Sequence, residues 1–105
     1  MKELEIPPAA KNDPKSVEVL RLWVAGGAEW VSLNQRIYRN RDFIEEWAWG
    51  VFLSDTIKHL ANAIHDFSGK DRQEIIKEIR DSFEAEMRDP TSDVRGGVLG
   101  EISDV

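Results

Sequence analysis

The stretch from Glu45 to Phe67, EEWAWGVFLSDTIKHLANAIHDF, decides how the rest of the chain is read. At helical spacing Trp49, Leu53, Ile57, Leu60, Ile64 and Phe67 share one stripe, and Asp55, His59, Asn62 and Asp66 share the opposite one. This pattern predicts an amphipathic helix. Its first turns differ, because Trp47, Trp49, Val51, Phe52 and Leu53 point in nearly all directions around the axis, so that end is expected to be covered on more than one side. Gly50, which costs a helix about 1 kcal/mol relative to Ala, is expected to mark a close backbone approach by a neighbour. Asp42 is the expected N-cap and Gly69 the expected left-handed C-terminal residue.

Downstream, Asp71 and Glu74 form a capping box ahead of Ile75, Ile76, Ile79, Phe83 and Met87, which line one face of a second helix ending before Pro90. Arg80 with Glu84 and Glu84 with Arg88 are spaced for i,i+4 ion pairs. The link Ser68-Gly69-Lys70 is short, so the two helices should run antiparallel as a hairpin. From Thr91 to Val105 the composition turns to Gly, Ser and Asp, as in a mobile tail.

Upstream, Val17 to Leu33, VEVLRLWVAGGAEWVSL, admits two readings. Asp13 as N-cap, Pro14 as first helical residue and Gly26 as terminator would make Lys15 to Ala25 a helix. The β-branched and aromatic residues, with Gly26-Gly27 able to supply the positive φ angles of a type I′ turn, favour a β-hairpin. Its register then sets Ala25 opposite Ala28, Trp23 opposite Trp30, Arg21 opposite Ser32 and Val19 opposite Asn34 on one side of the ribbon. Val24 opposite Glu29, Leu22 opposite Val31 and Leu20 opposite Leu33 form the other side, the natural partner for the long helix. A two-stranded ribbon is marginal alone, and Asn34 to Arg41, anchored by Ile37 and Tyr38, is a place for a third short strand. Residues 1–16 read as an arm, extended through Pro7 and Pro8, that is either disordered or a strap laying Leu4 and Ile6 over the long helix. The expected fold is therefore α+β, with one domain over residues 17–90, an N-terminal hairpin packed on a C-terminal two-helix hairpin, and a tail over 91–105.

The 105 residues carry a net charge of -6 and a pI near 4.9, which argues against general affinity for nucleic acid or anionic membrane. No Cys is present, so thiolate metal sites are excluded, and no apolar run approaches the roughly 20 residues of a membrane span. Cytoplasmic localisation is expected. No Gly-rich phosphate loop and no nucleophile-base-acid set is readable, and no cofactor is implied.

Three residue groups have a sharper reading beside a plain one. Asp55 and His59, one turn apart, can reach one metal ion, although a solvated helix face gives the same pattern and is preferred. Arg36, Arg39 and Arg41 with Tyr38 suit an anion or RNA contact, but neutralising Asp42, Glu45 and Glu46 at the helix start is the simpler role. Trp23 and Trp30 form a ladder suited to a ligand platform, an interface, or a core wall closed by the arm. The interface reading, with Arg21, Trp47 and Val51 as further members, gains from size. Roughly 70 structured residues without disulfide or metal bury too little surface to be comfortable alone. A non-catalytic homodimer is the leading expectation; the alternative is a small-molecule-binding protein or enzyme with its site near the Trp pair or the His59 face.

In order, Ile6-Pro7-Pro8-Ala9-Ala10, Leu20-Arg21 with Trp23, Ser32-Leu33-Asn34, Ala48-Trp49-Gly50, Asp55, His59-Leu60-Ala61 and Pro90-Thr91-Ser92-Asp93 resemble a family of short bacterial proteins classed as a domain of unknown function. The resemblance covers most of the chain and implies a stand-alone bacterial protein, with no activity or site residue attached. Relatives often carry His in the second strand where Trp30 stands here, so the resemblance does not imply for this chain any chemistry that rests on that His.

Overall fold

A computed structural model describes residues 1–34, 37–38, 44–93 and 95–97. The chain forms two compact units, residues 1–39 with 94–105, and residues 40–93.

In the first unit, helix α1 (Pro8–Lys11) interrupts the arm that was expected to be extended. Pro7 alone keeps an extended backbone. Pro8 fits the first helical turn because its φ is already helical and its missing N–H has no partner to lose there. The helix that competed for Lys15 onward does not form. Asp13 instead accepts the backbone N–H of Lys15 at 2.9 Å, and the Ser16 hydroxyl lies 2.7 Å from the carbonyls of Ala10 and Asp13, closing a turn.

Strands β1 (Leu20–Ala25) and β2 (Ala28–Leu33) pair antiparallel in the predicted register, from Leu20↔Leu33 to Ala25↔Ala28. Gly26 and Gly27 both have positive φ, 60° and 75°, as a type I′ turn demands. The third strand comes from a different place than expected: Ile37 and Tyr38 form a turn, with Ile37 buried, and β3 (Gly96–Gly97), inside the expected tail, lies parallel to β2. Sheet order is β1-β2-β3, so β1 is an edge.

The second unit is a helical pair. Helix α2 (Glu45–Ser68) starts at Ile44 with no side-chain cap; Asp42 lies outside the described residues. It ends as expected at Gly69, with φ 76° and its N–H on the carbonyl of His65. Helix α3 (Arg72–Arg88) begins with Asp71 accepting the N–H of Glu74 at 3.1 Å. Its i,i+4 ion pair is Lys77 with Asp81, 2.6 Å, rather than a pair built on Glu84, and Asp81 holds the Lys77 ammonium above its usual range.

The expected stripe of α2 does not bury as a unit. Ala61 is the most buried residue described, with Ile57 and His65 half-buried one turn to either side, and a side chain this small permits close packing at that position. Toward the start of the helix the covered residues are Ala48, Trp49 and Phe52, and Ala48 lies about 140° round the axis from Ala61. Leu53, Leu60 and Phe67 lie outside that arc and are exposed, Phe67 at 96%. On α3, Ile75 is buried, Ile76 and Ile79 are half-buried, and Phe83 and Met87 are exposed, so burial fades away from the interhelical turn.

Candidate functional site

The hairpin places Trp23 and Trp30 directly opposite one another. Trp23 is half-buried, with the Arg21 guanidinium 5.9 Å from its ring centroid, a cation–π arrangement. Arg21 is itself gripped by two carboxylates. Its Nε and Nη2 donate to both oxygens of Glu18 at 3.0 and 3.1 Å, and Nη1 donates to Glu3 at 2.7 Å, which ties the N-terminal arm to β1. Glu18, then Glu3, hold the guanidinium further on its charged side than usual. Trp30 is 46% exposed, and its indole N–H donates to the carbonyl of Ala25 at 3.2 Å, which fixes the ring over the end of β1. The outer residues of the opposite side, Leu20, Leu22 and Val24, are exposed as well.

On α2 the predicted interface residues Trp47 and Val51 are exposed, and with Ile44 they make one apolar patch at helical spacing. Trp49 packs edge-on against Phe52, centroids 5.5 Å apart. A Cβ placed on Gly50 meets nothing within 4 Å. The close approach expected at this glycine is therefore not made by the described residues of this chain.

The polar stripe of α2 divides in two. Arg72 donates to Asn62 at 2.9 Å and lies 3.9 Å from Asp66, so the lower half of the stripe tethers α3 to α2. His65 joins the same tether. Its Nδ1 is 2.6 Å from the carbonyl of Lys70, which requires the proton on Nδ1. Asp55 and His59 are exposed, and among the described residues no group of three potential ligands gathers around them. Arg36, Arg39 and Arg41 lie outside the described residues.

Two features escaped sequence reading. A groove of about 380 Å³ opens between the end of α2 and the start of α3, lined by Ile64, Ile75 and Ile79 together with Lys70, Glu74, Lys77 and Glu78. Periodicity marks those isoleucines as buried but cannot show that a gap remains between them. At the other end of α3, both oxygens of Glu86 accept from Thr91, the backbone N–H at 3.0 Å and the hydroxyl at 2.7 Å. The backbone bond first, then the hydroxyl, hold this carboxyl below the usual glutamate range. The five-residue spacing across Pro90 carries no recognised signature.

Residues 3–91 match a protein family described as a domain of unknown function, DUF5076. No curated protein matches the chain. A solved structure described as a candidate pyruvate dehydrogenase from the photosynthetic bacterium Rhodopseudomonas palustrus aligns over 99% of this chain and 97% of that one, at 26% identity and a TM-score of 0.66. The alignment shows a shared fold; the enzymatic description belongs to that protein.

Proposed function

We propose, starting from the fact that this chain belongs to the DUF5076 family, that it acts as a non-catalytic homodimer working through protein contacts in the cytoplasm of a bacterium. The observation carrying this reading is how its apolar side chains are spent. Among the described residues the buried hydrophobics are Ile37, Ala48, Ala61 and Ile75, while Trp30, Trp47, Leu53, Leu60, Phe67, Phe83 and Met87 are exposed. Buried apolar area contributes roughly 25 cal/mol per Å², so a fully exposed side chain such as Phe67 forgoes about 1.5–3 kcal/mol available on covering it, and the half-exposed ones correspondingly less. On α2, Trp47 and Val51 are exposed one turn apart, and apolar side chains grouped in this way on a surface mark interaction sites. The open space beside Gly50 points the same way, since the helix bears the cost of a glycine that no neighbour within the described chain uses.

The test is molar mass by light scattering across a concentration series. A species of twice 12.0 kDa that dissociates on dilution supports the reading. A monomer at every concentration overturns it. The small-molecule alternative has one observation in its favour, the groove at Ile64 and Ile75, which lies away from the positions first considered. A metabolite library that shifts the amide resonances of Ile75 and Ile79 would establish it.

A further inference from the structure

The outer edge of β1 is bare, and its pattern is self-complementary. Asn34 donates to the carbonyl of Val19 at 3.0 Å, so the odd-numbered residues of β1 turn their backbone groups toward β2. On the far side of β2, Val31 donates to Arg95 at 3.1 Å, which fits the same alternation. Leu20, Leu22 and Val24 therefore aim their N–H and C=O groups outward, and no described backbone group pairs with them. The devices that normally protect such an edge are missing: the strand LRLWVA has no proline, no lysine and no bulge. Its one charged side chain, Arg21, is folded onto Trp23 and neutralised by Glu3 and Glu18.

We infer that β1 pairs antiparallel with β1 of a second copy of this chain, across a two-fold axis at Leu22, joining the two sheets into one. This rests on the homodimer reading above and assigns its interface. Centred on Leu22, the register sets Leu22 opposite itself and Leu20 opposite the partner's Val24, and each pair exchanges both of its N–H···O bonds. The apolar side chains of the exposed face then meet like with like. On the other face the same register sets Arg21 opposite the partner's Trp23, in the closer, non-hydrogen-bonded kind of pair, which repeats between chains the guanidinium-on-indole contact already made within one. Two arginines brought near each other do not repel strongly, because each carries its own Glu18 and Glu3. A second copy is favoured over an unrelated extended peptide because the apolar and the Arg–Trp pairs are both reciprocal under one rotation. An arbitrary peptide satisfies neither.

The experiment uses single cysteines in a chain that has none. At the two-fold position the Cα atoms are about 5.5 Å apart, within disulfide range. Leu22→Cys is expected to give a disulfide-linked dimer on mild oxidation. Val24→Cys is not, because position 24 lies about 14 Å from its own copy in this register. Independently, the Leu22 amide of the wild-type dimer should exchange hydrogen at least about tenfold more slowly than in a diluted, monomeric sample. Leu22→Pro should weaken the dimer by at least about tenfold while keeping the β1–β2 ladder, since the Leu22 N–H points away from β2. A wild-type dimer whose Leu22 amide stays unprotected, or which survives Leu22→Pro and resists cross-linking through Leu22→Cys, overturns the inference and leaves the homodimer reading standing on another surface. A wild-type monomer overturns both.

Discussion

Gly50 and Glu86 are the two single residues whose surroundings make the sharpest claims. A side chain at Gly50 meets open space, and the residue sits inside a helix at ordinary negative φ, so Gly50→Ala is expected to stabilise the fold by about 0.5–1 kcal/mol in urea titration. A dimer weakened by the same change would place a partner's backbone against this turn. Glu86 holds the chain leaving α3 through Thr91, and the sign of its pH dependence follows from its lowered pKa. The stabilisation is fully present above the ordinary glutamate range near 4 and is lost as pH falls through the lower folded value. The amides around Thr91 should accordingly lose protection from hydrogen exchange below about pH 4, and Glu86→Gln should lessen that pH response. Neither environment is legible in the sequence. Whether a glycine has a neighbour, and whether a carboxylate meets a threonine beyond a proline, are facts about space rather than spacing.

At the scale of elements, the strand β3 depends on a residue without a side chain. Gly96 has φ 96°, and a Cβ there would fall on the backbone of Val31, overlapping its carbonyl oxygen. Gly96→Ala should therefore detach β3 from β2, read as faster exchange of the Val31 amide, which donates to Arg95, with the β1–β2 amides unchanged. The start of α3 offers a second check. Removing the cap with Asp71→Ala should cost about 1 kcal/mol by urea titration, because the Glu74 N–H loses its acceptor. The Asp71 cap, the Gly69 stop and the Gly26-Gly27 turn were all readable in advance, since each is a local demand of backbone geometry on residue type. Helix α1 and β3 were not. The first is a proline pair used as a helix start rather than as an extended spacer, and the second is two glycines held only by a strand more than sixty positions away in the chain.

For the molecule as a whole, the exposed apolar side chains lead to a concentration-dependent stability. If unfolding is coupled to dissociation, a tenfold rise in protein concentration adds about 1.4 kcal/mol, and the urea midpoint should move upward with it. A midpoint independent of concentration would count against the homodimer. The sequence alone determined the α+β class, the hairpin with its residue-by-residue register, and the two amphipathic helices, because these depend on periodicity and turn chemistry within a few residues. It also pointed to Trp23, Trp30, Arg21, Trp47 and Val51 as residues with apolar or aromatic surface to place. Only the tertiary structure decided that α2 covers different faces along its length, that Asn62 and Asp66 hold Arg72, and that Gly96 and Gly97 pair with β2. A hydrophobic pattern states which side chains seek cover. Which neighbour supplies it is settled by the volumes of residues such as Ala61 and by strand contacts distant in the chain, and neither is written in local spacing.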